Sequence, residues 1–283
     1  MLVSRGELQF DFKGARFNLA DACDRQLLGW IFNQFLYGEV TGIQCGYWLY
    51  RAPTLHAATF LARQAGEELS HVRRILRIFS ILKEKPASAH WAIRYLSTGL
   101  MGNTWGEHVA LEMALGEGLV LGVFYAMAET IPDPEIRKIL ESALIEEERH
   151  VEFGERETRA WLEAHPESRP FLLASAWIQV WVLRRLKRFI AERLLLERAS
   201  HPVLSQFEDF YAHSIRCLEL RIERLGLARQ PLSEMVFFEK LGLFLGFPFR
   251  KLGATLRRRK LLLTSTYLDD PVVKEELRTY RPS

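Results

Sequence analysis

Two Glu-x-x-His pairs, Glu68/His71 and Glu147/His150, constrain this chain more than any other feature. Each is preceded by a glutamate at nearly the same interval: Glu39 lies 29 residues before Glu68, and Glu117 lies 30 before Glu147. The halves therefore repeat at an offset of 78 or 79, and none of the other six of the eight histidines has a glutamate three residues before it. Residues three apart share one face of a helix, so each pair can present a carboxylate and an imidazole side by side. The pattern predicts a duplicated helix pair.

The neighbours of these residues place them on core-facing stripes. Around Glu39 the helical spacing collects Phe32, Phe35, Leu36, Ile43 and Tyr47; around Glu117 it collects Ala110, Met113, Ala114, Val120, Leu121 and Phe124. Glu68 and His71 are flanked by Leu61, Ala65, Val72, Ile75 and Phe79, and Glu147 and His150 by Ile139, Leu140, Ala143, Leu144, Val151 and Gly154. A lone buried carboxylate costs several kcal/mol or neutralises by a pKa shift. Four converging carboxylates repel one another unless cations intervene, and two divalent ions carry the +4 that balances their −4. Carboxylates with two imidazoles suit iron or manganese, and the missing donors leave coordination positions open. The candidate metal ligands are Glu39, Glu68, His71, Glu117, Glu147 and His150. Glu67 and Glu146, four residues before the same histidines, share part of their face, and Glu107 and Glu112 compete with Glu117; the offset and the apolar stripes favour the first set.

Prolines at Pro53, Pro86, Pro132, Pro134, Pro166 and Pro202 divide the rest of the chain, because proline ends a helix and restrains the residue before it. Between them the apolar spacing of 3 to 4 residues predicts helices over roughly 19–50, 54–82, 104–130, 135–164, 170–198 and 203–226, with a short piece near 89–100. Glutamate outnumbers aspartate 28 to 7, and Leu, Ala and Arg are abundant, all straight-chain or small residues that suit helices. The expectation is an all-α protein. Residues 1–165 form a four-helix metal-binding bundle, and 166–283 are a C-terminal helical extension packed on it within the same domain.

Several classes are excluded. Cys23, Cys45 and Cys217 are far apart, which argues against a disulfide framework or a thiolate zinc site and suits a reducing cytoplasm. The first residues carry charges where a secretory signal needs an apolar run, and no uninterrupted apolar stretch reaches the length of a membrane span; the longest candidate, 171–183, contains Ser175 and Gln179. A net charge of +3 does not by itself imply nucleic acid.

Glu39, the run GluLeuSerHis at 68–71, Glu117 and the run GluGluArgHisValGluPheGly at 147–154 resemble the ferritin-like di-iron carboxylate superfamily over about residues 20–160. From Glu117 through PheTyrAlaMetAla and ProAspProGluIleArgLys to His150, the chain is most similar to the aldehyde-deformylating oxygenases and related small-molecule oxygenases. The resemblance implies a ferritin-like four-helix bundle with additional C-terminal helices, and two carboxylate-bridged irons held by the six residues above. It also implies O₂ as co-substrate and chemistry on a substrate lodged beside the metals. Arylamine N-oxygenases carry a further histidine one turn before the last pair, where Ala143 stands here. Rubrerythrin-like peroxidases add a Cys-x-x-Cys domain that this chain lacks, and ferritin subunits are much shorter.

The expected activity is therefore an O₂-dependent oxidase or monooxygenase, using iron, manganese or a mixed pair, on a hydrophobic substrate such as a fatty acyl or aldehyde chain. Phe35, Ile43, Tyr47, Val120, Leu121 and Phe124 are the candidate substrate-pocket residues. Ferredoxin or a flavin reductase is the expected electron donor. A ferroxidase or peroxidase acting on iron alone, and a tRNA hydroxylase, are the alternatives. The aromatic residues beyond 170, among them Phe171, Trp177, Trp181, Phe189, Phe207, Phe210, Phe237, Phe238, Phe244, Phe247 and Phe249, either pack as core of the added helices or form a docking or homodimer face. With Arg250, Lys251 and the run Arg257 to Lys260, they suit an anionic membrane surface, an acyl carrier or tRNA equally.

Overall fold

A computed structural model of the chain describes residues 1–94, 102–195, 201–230, 234–242 and 245; the side chains of 91, 92 and 188–195 fall outside that description, as do the aromatic residues Phe189, Phe244, Phe247 and Phe249 and the basic run 250–260. The described residues form helices and no strand, so the all-α expectation holds. They belong to two compact units. One is drawn from Asn18–Met101, the other from Met1–Phe17 together with Gly102–Arg257.

A short N-terminal turn, α1 (Arg5–Leu8), belongs to the larger unit. The smaller unit is a helical hairpin of α2 (Ala22–Gly42) and α3 (Leu55–Leu82). Asp21 caps the first helix by accepting from the Cys23 amide at 2.8 Å, and Thr54 caps the second by accepting from Ala57 at 3.1 Å. The chain does not run on as one helix from 19 to 50. At Ile43 it tightens into a 3₁₀ segment, Ile43–Trp48, where Gly42 and Gly46 lower helix propensity. Lys83 then stops α3 in the left-handed conformation, with φ 58°, three residues before Pro86. The hairpin is antiparallel: the Cys45 thiol reaches the Leu61 carbonyl, while far along α2 Asn33 accepts from the Ala87 amide at 2.6 Å. Leu28, Phe32, Leu36, Leu61, Ile78 and Leu82 are fully buried, each side chain contributing about 1.5–3 kcal/mol by removal from water. A four-residue turn, α4 (Trp91–Arg94), follows; the remainder of the predicted piece at 89–100 lies partly outside the described residues.

The larger unit holds the second hairpin. α5 (Trp105–Glu107) leads into a π-helix, His108–Glu117, which passes into α6 (Gly118–Thr130). The return helix is α7 (Pro134–Ala164); Asp133 caps it by accepting from Glu135 and Ile136 at 2.9 Å each, and Pro134 sits at its first position, where no amide hydrogen is needed. The sequence predicted one regular helix over 104–130; ten of those residues wind instead with i→i+5 hydrogen bonding. The run Trp105–Thr130 is long and apolar enough to cross a membrane, which the sequence reading had not picked out. Its most apolar 18-residue window is 67% buried inside the structure, as befits a core helix.

α8 (Arg169–Leu195) and α9 (Phe207–Arg224) complete the unit. Leu172, Ala176, Trp177 and Val180 of α8 and Ile215, Leu218 and Ile222 of α9 pack with Ala110, Leu111, Ala114 and Leu115 in one core. Trp177 is thus ordinary core, whereas Trp181 is half exposed and Phe237 and Phe238 are exposed.

Candidate metal centre

In the first hairpin, Glu39 on α2 and Glu68 and His71 on α3 are all buried, and their ligand atoms lie within 4.8 Å of one another. His71 Nδ1 stands 3.0 Å from Glu39 Oε2 and 3.7 Å from Glu68 Oε2. One more turn along α3, Gln64 donates to Glu68 Oε1 at 3.3 Å, which fixes the other face of that carboxylate. Gly42 makes the arrangement fit, because a Cβ at that position would lie 2.8 Å from Glu68 Oε2 and 2.9 Å from its carboxyl carbon. The smaller unit therefore contains, on its own, a buried Glu/His group close enough to hold a metal ion. Two carboxylates and an imidazole are donors that iron and manganese accept.

The second hairpin places the same residue types at the equivalent register. Glu117 closes the π-helix, with Glu147 and His150 opposite it on α7; His150 Nδ1 is 3.5 Å from Glu147 Oε2, and Glu117 offers an oxygen within 4.8 Å of the imidazole. Glu147 and His150 are buried and Glu117 is half buried.

The competing carboxylates have other engagements. Glu67 is half buried and accepts from Arg63 Nε at 2.7 Å. Glu107 closes the cap around Thr104, and Glu112 takes His108 Nδ1 at 2.8 Å and the Gly102 amide. Glu146 is half buried. Next to Glu147, Glu148 is clamped by Arg5 through two contacts of 2.9 Å and accepts from the Tyr125 hydroxyl. Burial, and then that bond to Glu148, push the Tyr125 phenol well above its usual range.

Of the predicted pocket residues, Phe35, Ile43 and Tyr47 of the smaller unit are half buried. Phe35 lies beside Phe32, ring centroids 6.0 Å apart, and Tyr47 is edge-on to Trp48 with the Arg51 guanidinium 4.5 Å above its ring. In the larger unit Val120 is half buried and Leu121 and Phe124 are buried.

One group near the second trio escaped the sequence reading. Arg221 of α9 is 1% exposed and lies 3.3 Å from the buried Glu155 of α7. Burial lowers the Arg221 guanidinium and raises the Glu155 carboxyl, the opposite of what an exposed pair would do, so desolvation outweighs attraction on both partners. Arg221 Nη1 also donates to the Ala114 carbonyl at 3.0 Å.

No protein-family model, no curated protein and no solved structure matches this chain.

Proposed function

We propose that the two trios serve one binuclear metal centre, with Glu39, Glu68 and His71 from the first hairpin and Glu117, Glu147 and His150 from the second as its ligands. The observation that carries the reading is the buried Glu39–Glu68–His71 group, three donors within 4.8 Å, repeated in kind at the matching register of a second hairpin. Four carboxylates and two imidazoles neutralise about two divalent ions, in the manner of helix-bundle di-metal carboxylate proteins. The fold proposed with it is the ferritin-like bundle, its four long helices drawn in pairs from α2, α3, the π-helix with α6, and α7.

Iron, or manganese in its place, would supply O₂ activation, and the protein would act as an oxidase or monooxygenase on a hydrophobic substrate such as a fatty acyl or aldehyde chain. Half-buried Phe35, Ile43, Tyr47 and Val120 stand within one or two turns of the ligands in sequence, and apolar surface of this kind retains an alkyl chain at about 25 cal/mol per Å² buried. Inserting one oxygen atom of O₂ requires two external electrons, so a ferredoxin or flavin reductase is the partner proposed.

The test is metal analysis followed by O₂ uptake. Protein from iron-supplemented cells should hold about two transition-metal ions per chain, and less than one after anaerobic reconstitution with Fe(II) would overturn the assignment. O₂ consumption by the reduced protein that rises with a long-chain aldehyde or acyl compound supports the oxygenase. Metal-loaded protein that consumes O₂ only with added Fe(II) is instead an iron-handling protein, and stimulation by tRNA alone would make it a tRNA hydroxylase.

A further inference from the structure

The turn that delivers Glu117 is irregular, and one residue far away in sequence is built into the irregularity. In an α-helix the Ala114 carbonyl would accept from the amide of Gly118, four residues on. Here the Gly118 amide turns to Leu115 and Gly116, and the Ala114 carbonyl accepts from Arg221 Nη1 at 3.0 Å. Gly118 has to be glycine for this contact, since a Cβ there would collide with the Arg221 guanidinium. The charge is held in place from α7: Glu155, buried like Arg221, lies 3.3 Å from Nε and also accepts the Leu2 amide at 2.6 Å.

An arginine buried to this degree is costly to place. Ordinary packing would be served better by an apolar side chain, so an arginine in this place points to a geometric task. The Ala114 carbonyl and the Gly118 amide bracket Glu117, the last residue of the π-helix. The guanidinium is planar, always charged and carries several donors, so it can hold a carbonyl and a carboxylate at once; a lysine ammonium holds them less rigidly. Glu155 lies on the same helix as Glu147 and His150, five residues beyond the latter, so the ion pair also ties the Glu117 turn to the helix bearing its two partners.

We infer that Arg221 is a positioning residue for Glu117: by taking the Ala114 carbonyl, it fixes the π-to-α junction and thereby aims the Glu117 carboxylate. The inference rests on Glu117 being a metal ligand as proposed above, but its structural half stands apart from metal. It is tested on the full chain with Arg221→Gln, Arg221→Lys and Gly118→Ala. Two quantities are read: amide exchange over residues 108–119 in metal-free protein, and the affinity of each metal ion by chelator competition.

Arg221→Gln should speed exchange at residues 115–119 about ten-fold, the effect of losing one buried charge-assisted hydrogen bond, with α3 unchanged. It should weaken one of two metal ions about ten-fold, as loss of a residue supporting a ligand does, and Arg221→Lys should recover part of both. A folded Arg221→Gln protein with wild-type exchange and wild-type metal affinities, or one that merely melts earlier, overturns the inference. Should that variant fail to fold, Gly118→Ala, which keeps the charge and displaces the guanidinium, must give the same two shifts or the inference fails. If the wild-type chain binds no metal, the proposed function is lost, and unchanged exchange in the variants would then refute the role of Arg221 on its own.

Discussion

The two hairpins carry the same three donors at the same register and support them in different ways. In α2/α3 the glutamate sits on a regular α-helix, the imidazole is within 3.0 Å of it, and room for the second carboxylate comes from a glycine, Gly42. In the π-helix, α6 and α7, the corresponding glutamate ends a π-helical stretch, and the turn is held by a buried arginine from a helix nearly 100 residues further on. Position 120, which stands where Gly42 stands in the first hairpin, is a valine. A repeated Glu and Glu-x-x-His pattern therefore does not require repeated scaffolding: each half presents it on its own backbone.

The largest expected effect tests whether the halves are equivalent in what they bind. His71→Ala and His150→Ala should each reduce metal content from about two ions per chain to about one or fewer, with far-UV circular dichroism nearly unchanged, because each removes a donor and leaves its helix intact. Retention of two ions by one variant and not by the other would break the equivalence and leave a single-hairpin site.

A smaller effect separates the scaffolds. Gly42→Ala puts a methyl 2.8 Å from Glu68 Oε2, so the carboxylate must move, and metal affinity should fall about ten-fold by chelator competition. Replacing a helical glycine by alanine favours the helix by about 0.5–1 kcal/mol, so metal-free stability should hardly drop. Val120→Ala, its counterpart, should weaken metal binding much less. Equal losses in the two variants would mean that the asymmetry at these positions is incidental.

The parts that were legible in the sequence had a local signal. Pro53 and Pro134 mark the starts of α3 and α7, and Pro166 the end of α7, within two residues, because prolines act on their own neighbours, whereas Pro86 stands four residues beyond the last residue of α3. The burial of Glu39, Glu68 and His71 was legible from the apolar residues at helical spacing around each of them, together with the repeat offset. The π winding left no trace: His108 to Leu115 are buried on nearly every side, so the apolar pattern has no phase from which an extra residue per turn could be detected. The 3₁₀ turn at Ile43 had only its two glycines as a hint. Arg221 was hidden for another reason. An arginine in the last turn of an amphipathic helix ordinarily complements the helix dipole in water, and nothing local distinguishes one that turns inward to a carbonyl 107 residues away.

The smallest effect separates the units by pH, through a group present in only one of them. Glu7 accepts from Arg224 at 2.7 and 3.0 Å and from the Ser4 amide at 2.8 Å, and these bonds, Arg224 first, lower its carboxyl to about 2. A carboxylate whose folded pKa lies below its unfolded value near 4.5 stabilises the folded form at higher pH, and that contribution fades as pH falls from about 4.5 toward about 2. Arg224 also holds the Leu2 carbonyl at 2.6 Å, so what loosens is the N-terminal segment on α9, in the larger unit. Glu155 works in the opposite sense, because burial raises its carboxyl and the folded chain takes up that proton at a higher pH than the unfolded one. A simple acid titration would therefore mix two opposed trends, and Glu7→Gln isolates the first. Amide exchange at residues 2–10, corrected for its intrinsic pH dependence, should accelerate in the wild type as pH falls from about 4.5 toward about 2, remain flat in Glu7→Gln, and leave α2 and α3 unaffected. The step should be small and should shrink with added salt, since the pair is exposed and screened. An equal acceleration in the variant would assign the loosening to another carboxylate and remove Glu7 as the clasp of that segment.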